Sequence, residues 1–441
     1  MPEAKTVSQQ EEPANRFIEL GGAASRKPPV AFFPTARWLK HPDITPEKQP
    51  LLSDFSGRFA SFGSCFALNL KRAIEPYGFR FWFNGDICAH YSTESIADAL
   101  ERVSGRLPER NVGDGLYYFS EQEIYAYRYF FKRRFFGADA VDQVRNKIAE
   151  VEAECHAQVR RAKFIVITLG TSRVVRMRSN SDLIHTVLGL PVDQWYSDLL
   201  SMDDNVRNLK RIVDAIGVIR NGEPVKIILT ISPQRYVFGL RTPGVDGNPF
   251  VDNVLSKSIL RVAIHQFQSQ FPDCDSLYFP SFEMVMEGLR SFEPMSHYDF
   301  THIEQTHTPQ YVVKRFLKAY CSENLLAQFP LVELVNATNG TIGEMMDEAI
   351  RGDDPRILKI LSELAQKLRA APPPSAPGQI AGLKAILRRV CESAASAGQA
   401  SPEFSEIVSN LYFAMIEAHH EDDPAKAKLL ELAAQGVMSL S

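Results

Sequence analysis

The chain of 441 residues is 45% hydrophobic and carries a formal net charge of −4, with an isoelectric point near 6.2. That composition is ample for a buried core in two or three domains, and no strong positive field marks nucleic acid or an anionic surface as a partner. The opening residues MPEAKTVSQQEEPANRF lack the basic start and apolar stretch of a signal peptide, and no run of about 18 apolar residues occurs, so a cytoplasmic protein without a membrane span is expected. Six cysteines, at 65, 88, 155, 274, 321 and 391, form no CxxC pair and no zinc-finger spacing. They read as free thiols of a reducing compartment, with no metal or cofactor implied.

Residues 1–27 are polar and charged and read as a flexible tail, with ordered chain beginning near Pro28. From 28 to about 328, apolar β-rich runs alternate with helix-period segments, the pattern of a parallel sheet with helices on its faces. RFASFG (58–63), KFIVITLG (163–170) and VKIILTIS (225–232) read as buried strands, each ending in small or polar residues. Between them, ALNLKRAIEPYG, STESIADALERV, AVDQVRNKIAEVEAECHAQVRRA and MDDNVRNLKRIVDAIGVIRNG have helical period, the second opening on a Ser/Thr and Glu helix start. YAYRYFFKRRFF (125–136) mixes aromatics with four basic residues and reads as one strand with a solvated basic edge rather than a nucleic-acid or membrane contact.

After residue 328 the chain turns rich in Ala, Leu, Glu and Lys, which predicts a smaller all-helical domain over 329–441, with a Pro-rich linker near 370–379. Within it, EAIRGDDPRILKILSELAQ (348–366) and EAHHEDDPAKAKLLELAAQ (417–435) align without gaps. Each reads as an Asp cap, a Pro at the first helical position and a new helix, either as stacked hairpins that bind a partner or self-associate, or as a chance recurrence of ordinary helix-start chemistry.

In open α/β sheets ligands gather at the carboxyl ends of the strands, and three candidate pieces fall there. GSCFA (63–67) puts Ser64 and Cys65 on the turn that opens a helix, where free N–H groups favour a thiolate or a developing oxyanion, so either residue is a candidate nucleophile. LGTS (169–172) follows Gly170 with two hydroxyls, Thr171 and Ser172, suited to aim a donor at a carbonyl. HYDFTHIEQTH (297–307) holds Asp299-x-x-His302, a carboxylate able to orient a general base, flanked by His297 and His307. Read one at a time, these have plainer explanations: a buried small cysteine, a helix cap. Arg173, Arg235, Lys257 and Arg261 are cations suited either to an anionic substrate or to ion pairs.

The ordered set resembles the GSCFA-domain family, on Gly63-Ser64-Cys65-Phe66-Ala67 together with NGDICAHYSTESIADALERV (84–103), VITLGTSRVV (166–175), LTISPQRY (229–236), NVLSKSILR (253–261) and DFTH (299–302). Through it the chain resembles the SGNH/GDSL hydrolases over roughly residues 30–325. The resemblance implies an SGNH-like, flavodoxin-like three-layer α/β domain. It places Cys65 where that superfamily has its serine, with Ser64 as the alternative, and His302 as base oriented by Asp299. Oxyanion donors would come from the Cys65 N–H, from Asn84 or Gly85, and from the Gly170–Ser172 loop, where Ser172 or Thr171 replaces an asparagine. The implied activity is that of an esterase or acyltransferase on a small or carbohydrate-linked acyl group. The replaced asparagine leaves a second expectation, a non-catalytic binding or scaffold protein whose helical tail recruits a partner.

Overall fold

The computed structural model describes residues 44–107, 116–119, 124–127, 134–137, 139–185, 190–236, 247–290, 295, 302–303, 307–348, 350, 354–370, 377–396, 403–404, 406–408 and 410–411. The expected tail 1–27, the ordered start near Pro28, most of the Pro-rich linker and the second copy of the echo lie outside them. The α/β part runs β1 (Arg58–Gly63), α1 (Phe66–Ile74), β2 (Arg80–Trp82), α2 (Thr93–Val103), β3 (Leu116–Phe119), β4 (Ile124–Tyr127), β5 (Arg134–Phe136) and α3 (Ala140–Arg161). It continues with β6 (Phe164–Leu169), β7 (Arg173–Met177), β8 (Leu183–Ile184), β9 (Trp195–Leu199), α4 (Met202–Ile219), β10 (Lys226–Ile231), α5 (Pro249–Gln270), β11 (Ser276–Tyr278) and α6 (His307–Tyr320).

Five strands form one parallel sheet in the spatial order β11-β10-β6-β1-β2. Counted along the chain this is 2-1-3-4-5, a doubly wound order whose direction reverses between β1 and β6. The expected strands are its three central members, in register with Phe59 beside Phe164, Gly63 beside Thr168 and Thr230 beside Thr168. Because both faces are covered, these strands are apolar throughout, and alternate residues go to opposite layers. Ala60, Phe62, Ile165, Ile167, Ile227 and Leu229 pack with α2, α3, α4 and α5, whereas Phe59, Phe164, Val166 and Ile228 pack with α1 and α6.

Two small antiparallel sheets are added, β3-β4-β5 and β8-β7-β9. The single strand expected over 125–136 is corrected: its ends lie in two strands, β4 and β5, that pair antiparallel with Ile124 beside Phe136. A run this aromatic satisfies the strand pattern on both sides of a reversal, so period alone hides the break.

The helical region follows as α7 (Phe329–Asp347), α8 (Pro355–Arg369) and α9 (Pro377–Ser396). The Asp cap and Pro start read from the sequence are present at α8, where the Asp354 side chain accepts from Arg356 N at 2.9 Å and Pro355 takes the first helical position. The boundary expected at 328/329 coincides with the start of α7, yet Phe329 and Val332 belong to the apolar layer beneath the sheet, and Val335 and Ile342 to the helical cluster. Contacts at the turn after α1 fasten the two regions together. Tyr77 Oη donates to Glu333 Oε1 at 2.7 Å, Asn336 Nδ2 donates to Pro76 O at 3.2 Å, and a Cβ on Gly378 would stand 2.1 Å from Pro76 O. Only glycine permits that approach. Among the described residues no helix is long and apolar enough to cross a membrane.

Candidate functional site

At the carboxyl end of β1 the chain turns sharply into α1, and Gly63 makes the turn. Its φ is +124°, and a Cβ there would lie 2.1 Å from Thr168 O. Gly63 N donates to Cys88 O at 2.8 Å and Ser64 N to Thr168 O at 2.9 Å, which locks the turn between β6 and the 84–92 loop. Ser64 then points inward: it is 3% exposed, its Oγ accepts from Phe66 N at 3.3 Å and sits 3.4 Å from Thr168 Oγ1. Cys65, at the N-cap of α1, is the partly exposed member of the pair.

The Cys65 thiol lies 3.1 Å from Tyr91 Oη. Burial, reinforced by the neighbouring Cys65, pushes the Tyr91 phenol far above its ordinary range, so it remains a hydrogen-bond donor across neutral pH. The Tyr91 ring leans on Tyr236 with centroids 5.2 Å apart, and burial, with a smaller contribution from Cys65, pushes Tyr236 up to about 12. The Cys65 N–H meets no acceptor among the described residues. The first N–H groups of a helix lack intrahelical partners, so one donor and the positive end of α1 sit beside the sulfur.

The loop after β6 is tied down rather than offered to a ligand. Gly170 N and Thr171 N both donate to Tyr91 O, at 2.7 and 3.0 Å. Thr171 Oγ1 accepts from Arg173 N and pairs with Ser256 Oγ at 2.9 Å; Ser172 N donates to Ser256 Oγ at 2.7 Å, and Ser172 Oγ to Ser256 O at 2.9 Å. In this geometry Gly170, Thr171 and Ser172, expected to serve a reacting oxygen, direct the donors described here to Tyr91 and α5. Asn84 is similarly committed, its Nδ2 donating to Glu154 and its Oδ1 accepting from Asp86 N, while Gly85 is exposed on the same turn.

The first turns of α5 supply the rest of the bracing. Arg173 is buried and paired bidentately with buried Asp252, Nε to Oδ2 at 2.7 Å. Asn253 Oδ1 accepts from Tyr236 N at 3.0 Å, and buried Lys257 donates from Nζ to Ser232 O at 2.8 Å. Arg173 and Lys257, candidates either for an anionic substrate or for ion pairs, are interior cations here, at 7% and 3% exposure. Arg235 is half-buried with its guanidinium 5.9 Å from the Phe250 ring centroid, and Arg261 pairs with Glu283. Asp299 and His297 lie outside the described residues; His302 is half-buried, and His307 opens α6 exposed. Among the described residues the hydrogen-bond partner of the thiol is Tyr91, not His302. No group of three or more His, Cys, Asp or Glu suited to a metal occurs among them.

A family model described as the GSCFA family matches residues 58–316, more than half of the chain. The chain belongs to the GSCFA family. No curated protein and no solved structure matches it. For this GSCFA chain the match begins at β1 and ends within α6, so it holds the whole parallel sheet and every residue of the Cys65 cluster.

Sequence reasoning missed Tyr91, Tyr236, Asp252, Asn253 and Ser256. Tyr91 stands immediately before the Ser92 cap of α2, and its partner is 26 positions away. No local spacing encodes such a pair.

Lys257 carries a stability prediction for the GSCFA fold. Burial pulls its ammonium down from 10.5 to about 7, so between about pH 7 and 10.5 the unfolded chain binds a proton that the folded chain does not. Stability therefore rises with pH through that window, and the burial penalty is fully present below it. Urea unfolding at pH 7 and 8.5 should show Lys257→Met losing about 1–2 kcal/mol of the wild-type gain. Parallel slopes in the two proteins would refute this. Buried Cys88, whose thiol is pushed up by burial, opposes the trend only at more alkaline pH.

Proposed function

We propose that this chain is an acyl-ester hydrolase or O-acyltransferase with Cys65 as nucleophile, acting on a small or carbohydrate-linked acyl group. The observation that carries the reading is the placement of a partly exposed cysteine at a strand–turn–helix junction beside the point where the sheet order reverses, with an N–H that meets no acceptor among the described residues and a hydroxyl 3.1 Å from its sulfur. The resemblance to SGNH hydrolases supplies the base, His302, oriented by Asp299. His302 takes the thiol proton, the thiolate adds to the acyl carbonyl, and the oxyanion meets the Cys65 N–H and the α1 N-terminus, with Gly85 as a second candidate donor. Collapse expels the alcohol, which regains the proton, and leaves a thioester that water or an acceptor hydroxyl then cleaves.

A binding role without catalysis is the second reading, and the observation that favours it is the internal use of the Gly170–Ser172 donors. Both readings are tested with a short p-nitrophenyl ester, wild type against Cys65→Ala, Ser64→Ala and His302→Ala, with intact-mass detection of an acyl adduct. The catalytic reading expects turnover and adduct to vanish with Cys65 and His302 and to survive loss of Ser64. Equal background rates and no adduct in all four proteins would sink it in favour of binding.

A further inference from the structure

Helix α5 is inverted along its first four turns. Asp252, Asn253, Ser256 and Lys257 face the interior, all at most 8% exposed, whereas Phe250, Val251, Val254, Leu255 and Val262 face outward at 48, 68, 61, 49 and 52% exposure. Five of the eight large hydrophobic side chains exposed among the described residues therefore sit on one helix. Scattered exposed apolar residues are ordinary, but a contiguous patch marks a surface that something covers.

We propose that α5 pairs with the α5 of a second copy of this chain, antiparallel about a two-fold axis level with residues 256 and 257. A two-fold interface must present one patch to itself, and this face does so. In that register Val251 opposes the partner's Val262, Val254 opposes the partner's half-exposed Ile259, and Leu255 opposes the small Ser258 of the partner subunit. Every exposed apolar position from 251 to 262 finds an apolar or small counterpart. Arg261, His265 and Ser269 then form the polar rim on the same side of the helix. Val251, Val254, Leu255 and Val262, with Ser258, Ile259 and the polar rim, bring roughly 500 Å² from each copy, and roughly 1,000 Å² in total meets the lower bound for a specific interface. A membrane surface fits less well: an interfacial helix keeps a basic polar face toward water, and here the polar face is packed against β6 and β10 loops.

Sedimentation velocity of the full chain from about 1 to about 200 µM tests this, a range that covers the weak association of an interface at the lower size bound. The expected result is a concentration-dependent shift from 49.6 kDa toward twice that mass. Val254→Glu and Leu255→Lys should each weaken the dimer more than tenfold while leaving the melting curve of the monomer unchanged. Adding Ser258→Glu to Leu255→Lys should restore association, since the register sets the two charges against each other across the axis. A wild type that stays monomeric throughout, or a dimer indifferent to Val254→Glu, overturns the proposal. So does a Val254→Glu monomer with a lowered melting temperature, which would mean that the chain covers this face itself, or a monomeric wild type that floats with anionic vesicles. Restoration that fails while both single variants disrupt overturns the antiparallel register. None of these results depends on whether Cys65 is catalytic.

Discussion

Asp252→Ala is expected to destabilise the fold by about 3–5 kcal/mol, because it breaks a buried ion pair by removing one partner. Asp252 is the carboxylate of a buried bidentate pair, and its removal leaves the Arg173 guanidinium inside the protein without that counter-charge. The loss reaches beyond the pair. Arg173 N is fixed by Thr171 Oγ1, and Thr171 N helps hold the Tyr91 carbonyl, so a loosened Arg173 frees the loop that carries the ring against the thiol. Asp252→Asn keeps the shape and one acceptor and should cost less than half as much. Urea unfolding of the two variants is the measurement; an alanine variant within about 1 kcal/mol of wild type would show that the pair is dispensable, as surface pairs are.

Tyr91→Phe is expected to slow alkylation of Cys65 by iodoacetamide at pH 7 by roughly 10- to 100-fold. The phenol stays protonated at neutral pH and is placed to donate to the thiolate that alkylation consumes, and a hydrogen bond to a charged group contributes about 1.5–3 kcal/mol. The ring and its contact with Tyr236 are kept, so the substitution removes the donor and little else. Peptide-level mass spectrometry, following Cys65 with partly exposed Cys274 as an internal reference, gives the rate. Equal rates in wild type and variant would assign Tyr91 a packing role alone.

The central sheet was legible because β1, β6 and β10 are covered on both faces and read as unbroken apolar runs. The outer strands were not: Arg80–Trp82 and Ser276–Tyr278 have three residues each, too few for any period to register. Helix α5 escaped for the reason that makes it informative, since a helix that buries Asp, Asn, Ser and Lys and exposes Val and Leu has no amphipathic stripe. At the site, the GSCFA turn was legible as a strand-to-helix junction, and the choice of Cys65 over Ser64 as the accessible residue came only with the burial of Ser64. The bracing role of the Gly170–Ser172 loop was not legible because a glycine and two hydroxyls suit an oxyanion and a loop brace equally well. Which use prevails depends on Ser256, 84 positions further on from Ser172.

The grip of α7 and α9 on Pro76, Tyr77 and Gly78 gives α1 two anchored ends. At one end Cys65 is held by the turn into β1; at the other, the residues just after Ile74 are clasped by Glu333, Asn336 and Gly378. Nine residues of helix make a rod about 14 Å long, stiff enough that a tilt imposed at its tail reappears at its head. The C-terminal helices and the Cys65 sulfur thus sit at opposite ends of one short rod.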